Sequence, residues 1–326
     1  MITLGIETSC DETSVALLDN EKVIGNIIYS QAEHSKYGGV VPEVASRAHL
    51  EKIDRLANAL FDQTKSSISD VGLIAVTDSP GLAGALLVGV SFALGLHENY
   101  KIPITGVNHL EGHIFSVMLD HPNLEFPFLA LVVSGGHTAL YKVSDVGRYE
   151  LLGQTVDDAA GEAYDKVGKL LGFPYPAGRA IEEASMTIDH TDLTFPVAKV
   201  SSGTFDFSFS GLKTAVKYHV AKIDRNEIDT HRASVCKAFQ EAAVASLVNH
   251  TRNAALAAGL TRVALVGGVA CNKHLRNSMA KEFGDQVYFP QPRLCTDNAA
   301  MIALCGYKHY LKNDLRFPKM NPSKGI

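Results

Sequence analysis

The sequence predicts an α/β protein made of two similar lobes, and three observations carry the prediction. Its 326 residues exceed the length at which a single hydrophobic core usually stops growing. A pattern of three strands with a polar turn after the first, followed by alternating helices and strands, begins near residue 2 and again near residue 128. Hydrophobic residues make up 46% of the chain and charged residues 20%, with a net charge of −5, as in a globular protein with a large core. A repeat at this scale suggests two lobes facing each other across a cleft.

In the first round, apolar alternation marks strands at 2–7, 14–18 and 23–29, the first two joined by the polar turn from Thr8 to Thr13. Helical periodicity follows at 44–61 and 83–96, with short apolar strands at 73–77 and 104–107. The run 79–97 contains no Asp, Glu, Lys or Arg and is near the lower length limit of a membrane span. Gly81, Gly84, Gly89 and Gly95 point instead to a small-residue helix packed closely inside the protein, and no second span is present. The second round has strands at 129–133, 139–143 and 149–154. It continues with a helix at 233–258, a strand at 263–266, a helix from Asn272, a strand at 287–289 and a last helix opened by Thr296-Asp297-Asn298. Residues 156–232 read as a mostly helical insertion, with 161–171 its clearest piece. The expected domains are therefore 1–125, and 126–326 with the insertion at about 156–232.

Cys10, Cys236, Cys271, Cys295 and Cys305 are odd in number, widely spaced and free of any C-x-x-C pair, which disfavours a disulfide framework and a structural zinc knot. No charged-then-apolar leader precedes Gly5, so the expected location is the cytoplasm. The overall charge does not announce nucleic acid; the nearest basic patch is Lys308, Lys312, Arg316, Lys319 and Lys324, which a solvated tail explains as well.

His109 and His113, four residues apart at the start of a helix, project from one face and can reach one metal ion. With 13 His in the chain, chance alone supplies roughly half of one such pair, so the spacing needs further ligands to carry meaning. Ligands of open α/β sheets gather beyond the carboxyl ends of strands. The last strand of the first round runs into His109, and the equivalent strand of the second runs into Asp297, which makes Asp297 the candidate third ligand. A helix N-cap is the other role open to it. The spacing is not that of H-E-x-x-H metalloproteases, because Glu111 sits about 200° around the helix from His109, away from the metal face.

Each round's first hairpin turn is rich in anion-binding groups: Thr8, Ser9 and Thr13 in one, Ser134, Gly135 and Gly136 in the other. Hairpin turns carry such residues for conformational reasons too, so it is the duplication that adds weight. Asp11 and Glu12 add paired carboxylates able to orient a nucleophile, accept a proton or hold a cation. The stretch from Val266 to Asn272 is a buried strand ending in a double glycine, suited to packing against an adenine or ribose; it has neither Rossmann nor P-loop spacing.

These residues resemble a known family. The segments Gly5-Ile-Glu-Thr-Ser-Cys-Asp-Glu-Thr13, Gly38-Gly-Val-Val-Pro-Glu43, Pro80-Gly-Leu82, His109-x-x-x-His113, Ser134-Gly-Gly-His-Thr138, Asp158-Ala-Ala-Gly-Glu162, Ser208-Phe-Ser-Gly-Leu-Lys-Thr214 and Cys295-Thr-Asp-Asn298 look like the bacterial TsaD (Gcp/YgjD) proteins. They span nearly the whole chain in the family's order. Departures are Pro176-Ala177-Gly178, where the family has a double glycine, and Cys271 before Asn272, a possible extra soft ligand.

The resemblance implies the actin-like ATPase fold of sugar kinases and Hsp70 chaperones, with two duplicated ribonuclease-H-like lobes around a central cleft. It implies transfer of a threonylcarbamoyl group from threonylcarbamoyl-AMP to the exocyclic amine of the adenosine 3′ of the anticodon, in tRNAs reading codons that begin with A. By similarity His109, His113 and Asp297 carry one divalent metal, iron(II) or zinc, and Val132, Val133, Ser134, Gly135, Gly136, Asp165, Gly178, Glu182 and Asn272 hold the adenylate. Asp11 or Glu12 is the candidate for orienting the amine and taking its proton. The implied partners are the paralogous TsaB subunit, the small ATPase TsaE and an adenylate-forming synthase. Two other classes share the fold: a metabolite kinase, which has no need of the two histidines and Asp297, and a non-catalytic subunit of the modifying complex, against which the complete His-His-Asp set speaks.

Overall fold

A computed structural model of the chain describes residues 1–197 and 205–326; the part of the expected insertion at 198–204 lies outside the described residues. In chain order the elements are β1 (Ile2–Glu7), β2 (Glu12–Asp19), β3 (Lys22–Ser30), α1 (Pro42–Thr64), β4 (Val71–Ser79), α2 (Ala83–Tyr100), β5 (Ile104–Asn108) and α3 (His109–Ser116). There follow β6 (Phe128–Val133), β7 (Thr138–Asp145), β8 (Arg148–Gln154), α4 (Ala160–Leu170), α5 (Gly178–Ser185), α6 (Ser210–Val220), α7 (Ile228–Ala258), β9 (Val263–Val266), α8 (Lys273–Phe283) and β10 (Val287–Tyr288). The chain closes with the short α9 (Pro292–Cys295) and α10 (Ala299–Leu311).

The expected duplication is present in the sheets. One has the strand order β3-β2-β1-β4-β5 and the other β8-β7-β6-β9-β10, each with an antiparallel meander of three strands and two parallel additions. Both sheets are built from apolar runs: β6 is buried along its whole length, and β1 is buried after its first residue.

The chain divides into two compact units, Met1–Leu124 with Pro290–Ile326, and Glu125–Phe289. This corrects the expected boundary, which assigned everything after 126 to the second lobe. The helix opened near Asp297 does not pack on the second sheet; it packs on the first. The physical reason lies in small residues. Along β1, Leu4 and Ile6 join the core formed with Ile53 and Leu60 of α1 and Val90 and Ala93 of α2. Strand alternation turns Gly5 to the other face. There a Cβ on Gly5 would fall on the carbonyl oxygen of Ala299 and within 2.9 Å of the Ala303 Cβ. Gly306, one turn further along α10, meets Ala75 of β4 in the same way. Polar ties complete the docking: Ala299 N–H donates to Ser14 Oγ at 2.9 Å and Tyr307 Oη donates to Asn20 Oδ1 at 2.9 Å.

The glycine-rich run after β4 is the small-residue helix that its composition suggests. A Cβ at Gly84 would strike Ser46 of α1, and one at Gly89 would strike Thr8 in the turn after β1. Gly95 meets nothing, so it is not part of that contact. Among the described residues no helix is long and apolar enough to cross a membrane.

Substitution of Gly5 by Ala overpacks the α10 interface, which is expected to lower stability by about 1–3 kcal/mol. Urea unfolding followed by circular dichroism checks this, and an unchanged midpoint would contradict the close approach.

Candidate metal centre and substrate turns

The helix that carries the histidine pair is short and wholly buried, so its start must be satisfied internally. Asn108 does this: its Oδ1 accepts from the N–H groups of Leu110 at 2.9 Å and Glu111 at 3.3 Å, while its Nδ2 donates to the backbone oxygens of Lys324 and Gly325. Gly112 lets the helix lie against Met301 and Ile302 of α10. His109 and His113 then sit one turn apart, ring centroids 4.6 Å from each other.

The third expected ligand joins them within the same unit, brought by the return of the chain rather than by a second lobe. Asp297 Oδ1 is 3.1 Å from His113 Nε2 and 3.5 Å from His109 Nε2, and the three ligand atoms lie within 4.8 Å of one another. The competing role of helix cap is taken by the next residue. Asn298 Oδ1 accepts from Met301 N–H at 3.1 Å, and its Nδ2 donates to Leu294 and Thr296 oxygens. Asp297 is therefore not the cap of α10, and its carboxylate faces both histidines.

Behind His109 stands a residue that the sequence reading missed. Glu7, fully buried at the end of β1, places Oε2 3.1 Å from His109 Nδ1 and accepts hydrogen bonds of 2.5 Å from Thr77 Oγ1 and Ser9 N–H. Ser9 Oγ adds a contact of 3.1 Å to the same ring nitrogen. A carboxylate on Nδ1 with Nε2 facing outward is the outer-shell arrangement of metal-binding histidines. The clue was a charged residue ending an otherwise buried strand. Burial lowers the pKa of His109, but the charges of Asp297 and Glu7 outweigh it and push it up to about 9. The pocket thus favours a positive charge, and two imidazoles with a carboxylate fit zinc or iron(II).

The turn after β1 is pinned at each residue: Ser9 O accepts from Leu82 N–H, Cys10 O contacts His49 Nε2 at 2.9 Å, and Asp11 O accepts from Gln31 N–H. Glu12 opens β2 rather than lying in the turn. Burial first, then the charges of Asp297 and Asp11, push its carboxyl up to about 9. Burial and the same carboxylates also raise the Cys10 thiol, which stays protonated and inert.

The other expected residues lie together in the second unit. Val132 and Val133 are core side chains that lead into the Ser134 turn, so only their backbone could meet a ligand. Ser134 N–H donates to His137 O at 2.8 Å, and Ser134 O accepts from Gly161 N–H at 3.2 Å, which ties the turn to the start of α4. Further along α4, Asp165 Oδ1 accepts from Ala177 N–H at 2.7 Å, beside Gly178. Glu182 on α5 accepts from Lys273 N–H at 2.5 Å, and Asn272 caps α8 through Leu275 N–H at 2.9 Å. Three of the expected adenylate residues, Asp165, Glu182 and Asn272, therefore also hold the local fold.

The glycines here divide into two kinds. Gly161, Gly168 and Gly267 are demanded by close backbone or side-chain neighbours, whereas a Cβ at Gly135, Gly136, Gly178 or Gly268 would meet nothing within 4 Å. Ala177, the departure from the double glycine, is buried with its methyl against Gly168. Cys271 belongs to neither metal-competent group found among the described residues.

Two motifs read separately in the sequence turn out to be one joint. Asp157 accepts from Ser208 Oγ, Ser210 Oγ and the N–H groups of Phe209 and Ser210, while Asp158 pairs with Lys166 and Lys213, each at 2.5 Å. Burial alone would raise both carboxyls; these hydrogen bonds and ammonium groups hold both below the usual range.

A family model described as TsaD, tRNA N6-adenosine threonylcarbamoyltransferase, matches residues 22–304. The chain is 48% identical over 311 residues to the tRNA N6-adenosine threonylcarbamoyltransferase of Geobacter sp. (strain M21), covering 94% of this chain and 90% of that protein. To the protein of the same name from Thermosipho africanus it is 46% identical over 316 residues, 96% of this chain and 95% of the relative. Among solved structures, full-length HypF in its phosphate- and nucleotide-bound form aligns with a TM-score of 0.64 at 14% identity, covering 97% of this chain and 47% of HypF. Component A of the Acidaminococcus fermentans (R)-2-hydroxyglutaryl-CoA dehydratase aligns at 0.57 with 13% identity, over 95% and 99% of the two chains. At such identities the likeness concerns the fold, which is the expected actin-like ATPase fold.

The Asp157 and Asp158 joint makes stability depend on pH. Carboxyls held below their unfolded values stabilise the protein above the ordinary carboxylate range, and that contribution is lost as pH falls through the depressed folded values. The urea midpoint is expected to fall from about pH 5 down to about pH 2, and to fall less steeply in Asp157→Asn. Parallel curves for the two proteins would contradict the assignment.

Proposed function

The chain belongs to the tRNA N6-adenosine threonylcarbamoyltransferase family, TsaD, and from that premise we propose how its residues divide the work of the transfer. The enzyme moves a threonylcarbamoyl group to N6 of a tRNA adenosine. In the reading we favour the donor is threonylcarbamoyl-AMP, and the acceptor is the adenosine 3′ of the anticodon in tRNAs reading codons that begin with A. The family match and the curated relatives all bear the transferase name, so the metabolite-kinase and non-catalytic readings gain no support.

One divalent ion, iron(II) or zinc, would be held by His109, His113 and Asp297; the observation that carries this is the convergence of both Nε2 atoms on a single Asp297 oxygen, with Asn298 doing the capping. When bound, such an ion supplies a Lewis acid that can polarise a carbonyl or neutralise a phosphate. Glu7 orients the His109 ring through Nδ1. In the turn of Ser134, Gly135 and Gly136, the N–H groups of the two glycines donate to the negatively charged oxygens of the threonylcarbamoyl donor, with open space at both glycines for a close approach. The backbone at Val132 and Val133, with Asp165, Gly178, Glu182 and Asn272, shapes the adenylate's surroundings. The acceptor amine is a weak nucleophile because its lone pair is delocalised into the purine. Asp11 or Glu12 orients it and, as a carboxylate, takes its proton. We assign the partners as a TsaB paralogue in a heterodimer, the small ATPase TsaE and an adenylate-forming synthase, working in the cytoplasm.

The direct test mixes the chain with threonylcarbamoyl-AMP, tRNA and these partners and follows the modified nucleoside by mass spectrometry. His109→Ala and His113→Ala are expected to lose stoichiometric metal by elemental analysis and to slow transfer by about a hundredfold or more. Undiminished transfer by a metal-free double variant would sink this scheme.

A further inference from the structure

The metal helix α3 has a second face that the transfer scheme does not use. Glu111 lies there, 1% exposed, with Oε1 2.7 Å from Nε2 of His309 on α10, which is equally buried. His309 Nδ1 is 3.0 Å from Asp314 Oδ2, and Arg316 Nη2 donates to the same oxygen at 2.7 Å. A carboxylate and an imidazole so deeply buried are costly unless paired, and here each is satisfied by a directed contact. Cys305 lies in the same cluster.

We propose that Glu111 and His309 are positioning residues that set the rotation of α3 about its axis, and through it the places of the His109 and His113 nitrogens relative to Asp297. This rests on the metal reading above. Gly112 of α3 also lies against Ile302 and Met301 of α10, an apolar contact that is less directional than a hydrogen bond. The Asn108 cap fixes the start of the helix, and Glu7 and Ser9 hold it at His109; Glu111 is the polar anchor on the opposite face. On a helix about 5–6 Å in outer radius, a roll of about 10° moves a ligand atom by about 1 Å. Binding constellations tolerate roughly 0.5 Å. A hydrogen bond between buried, oppositely charged or polar groups is directional enough to hold that tolerance. All three members of this cluster are buried, whereas Asp297 of the histidine group is partly exposed, which is why we read the cluster as a clamp and not as a second metal site.

The test measures zinc affinity of the full chain by competition with a chelating dye, together with the visible spectrum of the cobalt(II)-substituted protein. Glu111→Gln and His309→Gln are each expected to weaken zinc binding about ten- to a hundredfold and to shift the cobalt bands. The double variant is expected to bind no more weakly than the weaker single, because the two residues act as one unit. Leu60→Ala, a fully buried change in α1 that packs with Leu4 and Ile6 on the sheet face away from α10, is the control: it should lower the melting temperature while leaving zinc affinity within about twofold. Should Glu111→Gln fail to fold, Asp314→Asn, on the half-exposed outer link, gives the same readout with a smaller shift. One zinc per chain in the unaltered protein, with both single variants within twofold of it, overturns the clamp alone. Failure of the unaltered chain to bind zinc, iron(II) or cobalt(II) overturns the clamp and the metal reading together. Two zinc ions per chain, falling to one in His309→Gln, would show the cluster to be a metal site and also overturn the clamp.

Discussion

The close approach of α10 to β1, which requires position 5 to be glycine, is the contact on which the histidine site depends. Asp297 lies two residues before α10, and Asn298 fixes the start of that helix, so the seat of the helix sets where the carboxylate stands. The same helix carries Ile302 and Met301 against Gly112 and His309 against Glu111. The two histidines are therefore placed by one helix that itself rests on another, and an error of packing at Gly5 would propagate to three ligands at once. Rigid, close-packed elements transmit displacement in this way.

Much of the fold was legible in the sequence, and the reasons for what was not are specific. Strands such as β1, β6 and β9 are short buried apolar runs bounded by Gly or polar turns, and their pattern is unambiguous. The polar alternation of the turn after β1 was read two residues too long, because Glu12 already faces into the strand ladder opposite Ser30. The destination of α10 was not legible. Chain order favoured the nearer sheet, whereas the matching small residues at Gly5 and Ala75 and the polar ties to Ser14 and Asn20 place it on the first. Periodicity reports which face of a helix is buried and says nothing about which partner buries it.

The candidate site shows the same division between local and distant information. His109 and His113 are a local pattern and were read directly. Asp297 was reached by analogy between the two rounds of the fold, and it joins the histidines by a different route, through the return of the chain to its first unit. Glu7 and His309, far from the pair in sequence, had no local signature beyond being polar residues among apolar ones. In the second unit, glycines with no packing neighbour mark the stretches where the protein's own contacts do not explain the residue, whereas Gly161 and Gly267 are explained by their neighbours alone.

The first unit is discontinuous in sequence, with the whole of Glu125–Phe289 between its parts. On the ribosome, chains emerge from the amino end at about 5–20 residues per second, so Asp297 and α10 arrive about ten to forty seconds after α3. During that interval the sheet face at Gly5 and Ala75 lacks its cover, and His109 and His113 lack their carboxylate. The second unit, continuous in sequence, has all its strands before that cover is made. A nascent chain that pauses before residue 290 therefore leaves this small-residue sheet face uncovered and open to non-native contacts until α10 is made.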